Sequence, residues 1–256
     1  VTDMSNMFSR CDKFDQPLND WDVSNVTDMG GMFQYCRYFN QLLNNWDVSN
    51  VTNMNQMFYG CDKFNKDISN WDVSNVTDMK EMFIHCKSFN QELNNWNTEN
   101  VKNMKYMFYG AINFNKSLNN WNVSKVEVMD GMFYGATNFN QNLNKWNVEN
   151  VKQTSEMFKN AIKFNGDIFL WNLKKATHLD DMFSGALEFN QDLDKWKTSS
   201  FFYLNRMFKN AKKFNGNIST WNVKNVAYFE EMFMNAINFN KDISKWEFQF
   251  YPISID

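Results

Sequence analysis

Large apolar residues return along this chain at a fixed interval of 25. All ten tryptophans obey it, from Trp21, Trp46 and Trp71 to Trp246, with no gap inserted. Positions are counted here from each Trp as +1, +2 and so on. Met then Phe recur at +11 and +12, from Met7 and Phe8 to Met232 and Phe233. A second Phe recurs at +18, from Phe14 to Phe239, and Leu or Ile at +22, from Leu18 to Ile243. A fixed period of this size is the mark of stacked structural repeats. A propeller blade needs a longer period, about 40–45 residues, so a solenoid is the expected architecture.

Within one repeat the pattern predicts two elements. Apolar residues at +5, +8, +11, +12 and +15 have helical spacing, as in Val26, Met29, Met32, Phe33 and Cys36. Asn25, Asn50 and Asn75 at +4 suit an N-cap, with Thr at +6 a rival. Gly or Asn at +14, as in Gly60, Gly110 and Asn160, suits a left-handed stop. Such a helix of about 8–10 residues would be marginal alone, so stacking must hold it. Leu18, Trp21 and Val23 read as a short strand pairing with its equivalent one repeat away, in a parallel sheet. The expected fold is therefore an α/β solenoid, leucine-rich-repeat-like, of ten turns of 25 residues in one domain spanning 1–256. Its N-terminus enters mid-repeat without a polar cap, which predicts missing upstream sequence or a partner, such as a second copy, over the first turn. Residues 247–256, with Pro252, read as a closing strand or cap.

Composition adds exclusions. The 256 residues carry 43% hydrophobic and 18% aromatic residues, which argues against global disorder. A net charge of −3 argues against a general nucleic-acid binder. No apolar run approaches the length of a transmembrane helix. Residue 1 is Val, so the chain reads as a mature product or a fragment.

The unit V-x-x-M-x-x-M-F-x-x-[C/A]-x-x-F-N-x-x-[L/I]-x-x-W-[D/N]-V-S-N closely resembles the repeat of BspA-like leucine-rich-repeat surface proteins. Phe33-x-x-Cys36, Leu43-x-x-Trp46-x-Val48 and their copies carry the match, over essentially the whole chain. The resemblance implies a leucine-rich-repeat solenoid with a surface-exposed, often adhesive or host-interacting role and no catalytic residue. It also implies a cell-surface or extracellular address, with a lipid anchor supplied upstream. The virion or another particle surface is the alternative. Some repeats depart from the unit: Lys197, Thr198, Ser199 and Ser200 stand where others carry Asn-Val-x-Asn.

Candidate chemistry is sparse. Cys11, Cys36, Cys61 and Cys86 share +15 with Ala111 and its successors, which points to a small buried site. A bridge between adjacent repeats is conceivable, whereas zinc would want close C-x-x-C pairs. His85 and His178 fall on surface positions, far apart, with no nucleophile beside them. No phosphate loop, H-E-x-x-H or calcium repeat occurs, so neither an enzyme nor a cofactor or metal is expected. Asp15, Asn40, Asn65 and their successors to Asn240 follow the second Phe, where stacked amides could bridge repeats or line a ligand array.

The outward columns beside Trp are the candidate binding face. They begin acidic, with Asp22, Asp47 and Asp72, and turn basic, with Lys145, Lys195 and Lys197. An apolar anomaly accompanies the basic end. Phe169 and Leu170 replace a polar pair, and Phe202, Tyr203 and Tyr228 follow in the stack. Exposed apolar clusters mark contact sites, so these eleven residues are the candidate partner-binding set. A third column, Tyr59, Tyr109 and Tyr134 at +13, also suits an interface. The expected function is a non-enzymatic, surface-displayed repeat scaffold for protein or host-cell binding. The alternative is an assembly protein of a particle or surface layer, packing through its faces and ends.

Overall fold

In the computed structural model, which describes residues 1–249, the chain winds as a solenoid whose rungs repeat every 25 residues. We number the rungs 1 to 9 from Trp21 to Trp221. No rung contains a helix. The segment expected to be helical is instead a run of β-turns. In rung 1 the N–H of Met32 donates to Met29 O, that of Gln34 to Gly31 O, and that of Cys36 to Phe33 O. Each bond spans three residues, not four. Gly31 and Tyr35 have φ of +62° and +60° as third residues of two of these turns, the mark of type II geometry.

Two columns, +10 and +14, are left-handed in every rung, from Asn6 and Arg10 to Glu231 and Asn235. A left-handed residue in mid-segment interrupts a right-handed helix. The gain comes from the next rung. The N–H groups of Met29, Gly31, Phe33 and Tyr35 donate to the carbonyls of Asn53, Asn55, Met57 and Tyr59. The α-helical reading is thus corrected: alternate amides leave the segment and hold the neighbouring rung. The expected spacing survives because a chain of three-residue turns also brings +8, +11, +12 and +15 to one side.

The strand reading is corrected too. Leu18, Trp21 and Val23 form no ladder. Parallel pairing occurs instead at +7, as single bridges running Asp3–Asp28–Asn53–Asp78–Asn103–Val128–Gln153–His178–Tyr203–Tyr228. Nor is Asn at +4 a cap. Asn50 and Asn75 donate their side-chain amides one rung back, to Ser24 O and Ser49 O, at 2.8 and 2.7 Å. The closing strand over 247–256 lies mostly outside the described residues. Phe248 is described and stacks on Phe229 at 4.9 Å.

The core is a set of columns. Phe33, Phe58 and Phe83 stack at 5.7 Å spacing, and each Phe at +12 also stacks on its own Phe at +18, as Phe33 on Phe39 at 4.1 Å. Tryptophans stack from Trp46 to Trp246, with Trp46 and Trp71 within 3° of parallel. Trp21 is the exception, 37% exposed on the first rung. A polar ladder runs beside them. The backbone N–H of each Asn at +19 donates to the side-chain oxygen one rung back, Asn40 to Asp15 and Asn65 to Asn40, at 2.9 and 3.0 Å. The same bond recurs to Asn240, so this column serves the backbone.

Candidate interaction surface

The +15 cysteines form a buried column and not a reactive one. All four are free thiols; Cys36, Cys61 and Cys86 are buried and Cys11 is exposed. Each buried S–H donates to the +12 carbonyl one rung back, as Cys61 Sγ to Phe33 O at 3.0 Å. Burial pushes the Cys36 thiol up to about 12 and those of Cys61 and Cys86 well above their ordinary value. Among the described residues no group of three His, Cys, Asp or Glu side chains could hold a metal ion. Nor is any helix long and apolar enough to cross a membrane.

Asp22, Asp47 and Asp72 are exposed, and each has a local task. Their carboxylates accept the backbone N–H two residues on, from Ser24, Ser49 and Ser74, at 3.0, 3.1 and 3.0 Å. These are Asx-turns. The Ser24 and Ser49 hydrogen bonds hold the Asp22 and Asp47 carboxyls below the usual carboxylate range. Asn122 makes the same turn with Ser124, which is why Asp gives way to Asn along the column. Lys145 lies at the rung edge, its backbone N–H held by Asn119 Oδ1 at 3.1 Å. Lys195 and Lys197 are exposed. Lys197 cannot make an Asx-turn, and hydroxyls stitch its rung instead. Thr198 Oγ1 donates to Asn222 O and accepts from Asn222 N, and Ser200 Oγ donates to Ala176 O at 2.7 Å.

The apolar set divides. Leu170 is 63% exposed and Phe169 half-buried at the edge beside Trp171, and Phe169 makes no ring contact with the others. Phe202, Tyr203 and Tyr228 do come together. Phe202 meets Tyr203 at 4.8 Å and Tyr228 at 5.8 Å, and Tyr203 stacks on Tyr228 at 4.9 Å. Phe202 is 36% and Tyr228 46% exposed. His178 extends the row, its ring 4.6 Å from Tyr203. The sequence pattern alone had left His178 as a solvated surface residue.

His178, Tyr203 and Tyr228 occupy +7, the bridge column, and Phe202 stands beside them at +6. In rungs 1 to 4 the +7 residue is Asp28, Asn53, Asp78 or Asn103, and its side chain accepts the N–H at +9. An aromatic ring cannot accept that bond. In rungs 8 and 9 the acceptor is supplied from the +9 column one rung back. Asn205 N–H donates to Asp180 Oδ1 at 2.8 Å and Glu230 N–H to Asn205 Oδ1 at 3.0 Å. In the rungs of Tyr203 and Tyr228 the backbone bond is thus made elsewhere, and the same transfer serves rung 6, where +7 is Gln153 and Ser155 N–H donates to Asp130 Oδ1 at 3.0 Å. Burial raises the Asp180 carboxyl, against its hydrogen bonds from Asn205.

The third column meets a different fate. Tyr109 stacks on Tyr134 at 4.4 Å and takes the edge of His85 at 5.3 Å, while Lys159 lies 5.6 Å over Tyr134. Tyr59 of the same column packs on Tyr35 at 4.9 Å.

With this geometry in hand, comparison with known families is decisive on one point. The family model described as Mycoplasma protein of unknown function, DUF285, matches residues 2–111, 83–190 and 167–251. The chain belongs to the DUF285 family. Its overlapping matches run over nearly the whole length, as a DUF285 repeat array requires. No curated protein matches it. Among solved structures it is similar to a leucine-rich repeat protein from Bacteroides ovatus, at 13% identity and a TM-score of 0.26, over 97% of this chain and 87% of that one. A leucine-rich repeat protein of Leptospira interrogans is similar at 9% identity and a TM-score of 0.25, over 84% of this DUF285 chain and 60% of that one.

Proposed function

We propose that this DUF285 chain is a non-enzymatic repeat scaffold that binds protein partners, displayed at a cell surface in the manner of the BspA-like proteins its repeat resembles. The observation that carries the reading is the cluster of Phe202, Tyr203 and Tyr228, with Phe202 and Tyr228 exposed. Tyr203 and Tyr228 stand where Asp28 and Asn53 accept a backbone N–H in other rungs, and in their rungs Asp180 and Asn205 accept that N–H instead. Exposed Phe and Tyr carry a large share of the energy in protein interfaces. A solenoid offers such contacts along an extended face and not in a deep pocket.

The test is binding of the purified domain to cultured host cells, comparing wild type with a Phe202→Asn, Tyr228→Asn variant. Loss of binding at an unchanged circular dichroism spectrum and melting temperature supports the reading. Equal binding by both proteins overturns it.

A further inference from the structure

The aromatic row lies in a strip that runs the length of the solenoid, made of positions +1 to +7. Positions +2 and +5, as in Val48 and Val51, point inward, and the residues between them face out. The charge of this strip reverses along the stack. In rungs 1 to 3, residues 22–28, 47–53 and 72–78 carry Asp22, Asp28, Asp47, Asp72 and Asp78 and no cation. In rungs 7 to 9, residues 172–178, 197–203 and 222–228 carry Lys174, Lys175, Lys197 and Lys224 and no carboxylate; Lys174 pairs with Glu149 of rung 6 at 2.9 Å and Lys224 with Glu247 at 3.3 Å, both carboxylates lying outside these three rungs. The three rungs between carry one charge of each sign: Glu99 with Lys102, Lys125 with Glu127, and Glu149 with Lys152.

A surface whose sign reverses about its midpoint is self-complementary under a two-fold axis. We propose that this strip is an interface between two copies of the chain, lying antiparallel, with rungs 1–3 of one against rungs 7–9 of the other. The proposal rests on the binding reading above and names the partner. A two-fold axis across the strip at rung 5 sets each rung against the one equally far from rung 5. Column then meets column. Asp47 faces Lys197, Asp78 faces His178, Asn53 faces Tyr203, and Asp28 faces Tyr228. Three of the five carboxylates thus meet an ammonium, an imidazole and a phenol, and Asp22 and Asp72 face the amides of Asn222 and Asn172, all of them donors. Phe202 meets Thr52, whose methyl offers it apolar cover. The equal rung spacing of both copies keeps this register over all nine rungs, about 40 Å at ~4.8 Å per rung. The middle opposes the contact, because Glu99 faces Glu149, Lys102 faces Lys152, and Lys125 and Glu127 each face their own counterpart; an opposite charge two or three residues away in the same rung offsets each of these.

An acidic partner protein could also meet the basic end, but it would leave the acidic end and the neutral middle unexplained. The experiment is light scattering on size-exclusion eluates of the full chain, over a range of protein concentration and at low and high ionic strength. The expected result is a monomer–dimer equilibrium that weakens with salt, since exposed charges are screened. A Lys174→Glu, Lys175→Glu, Lys197→Glu variant has two acidic ends and is expected to be monomeric. An Asp22→Lys, Asp47→Lys, Asp72→Lys variant has a more basic acid end and is expected to be monomeric as well; Lys197 shows that +1 accepts lysine. Mixing the two is expected to restore a dimer containing one of each. A wild type that stays monomeric at low salt overturns the proposal, as do a dimer that survives either reversal and a mixture that fails to associate. Should self-association fail while the Phe202→Asn, Tyr228→Asn variant still loses cell binding, the scaffold reading stands and its partner is another protein.

Discussion

The indole Nε1–H of Trp121 donates to the carbonyl oxygen of Leu93, 28 residues earlier, at 2.7 Å. The same bond joins every successive pair of rungs from Trp46 to Trp246. It spans one rung boundary, so each Trp is both a core side chain and a tie to the rung before it. Replacing Trp121 by Phe leaves a buried acceptor one bond short and a cavity beside the stack. The expected cost is about 2–3 kcal/mol. Trp21→Phe should cost well under half of that, because Trp21 is partly exposed and has no ring stacked on its outer side. Urea unfolding of both variants checks the difference.

Glycine is required at some left-handed positions and only convenient at others. Gly131 has φ +54°, and a Cβ there would stand 2.2 Å from the ring of Tyr106. Gly135 has φ +64°, but its nearest atoms are 3.9 Å away. Gly135→Ala should therefore cost only the left-handed backbone penalty, about 1 kcal/mol. Gly131→Ala should cost about 3 kcal/mol, since the ring must move as well. Adding Tyr106→Ala should recover part of that loss, and a double-mutant cycle in denaturant would read the coupling directly.

The rung period, the core columns and the outward faces were legible in the sequence because they depend only on which residues recur. The backbone within the rung was not. The left-handed +14 column shows itself through Gly60, Gly110 and Asn160, and it was read as a helix stop. The left-handed +10 column holds Gly31 and Gly131 but also Gln56, Glu81, Tyr106 and Arg206, residue types that do not signal positive φ. That column is set by hydrogen bonds to the next rung, a long-range cause that leaves no consistent mark on the residue itself. The candidate surface was legible in part for the same reason. Phe202, Tyr203 and Tyr228 stand out as departures from a repeat. His178 joins them only when rungs 7 and 8 are stacked. The transfer of the backbone acceptor from +7 to +9 needs hydrogen bonds to be seen.

Asp180 shows what that transfer costs. Its carboxyl is half-buried and raised by desolvation, yet it must accept the Asn205 N–H. A carboxyl whose folded pKa is raised favours the fold most at acidic pH, and that contribution falls away as pH rises through the folded value. At neutral pH Asp180 therefore carries a penalty. Asp180→Asn keeps the acceptor, as Asn205 does for Glu230, and removes the charge. The expected gain at pH 7 is small, about 0.5 kcal/mol after allowing for solvent screening. It should vanish near pH 3, where the wild-type carboxyl is protonated. Melting temperatures of the two proteins across that range give the sign.

The cysteine column makes a prediction about reactivity that separates packing from redox function. The thiolate is the reacting species, and burial holds the Cys36, Cys61 and Cys86 thiols protonated well beyond neutral pH. Cys11 shares the column but is exposed. Ellman's reagent at pH 8 should therefore label one thiol per folded chain and all four after denaturation. Labelling of more than one thiol in the folded protein would show that the column opens. Cys61→Ala should keep the fold at a cost of about 1 kcal/mol, since Ala111 and its successors occupy the same column and only the S–H bond to Phe33 O is lost. Cys61→Ser retains a donor yet brings a more polar hydroxyl into a fully buried site, so it should be no more stable than Cys61→Ala. A serine variant clearly more stable than the alanine variant would mean that hydrogen bonding, and not apolar packing, governs the column.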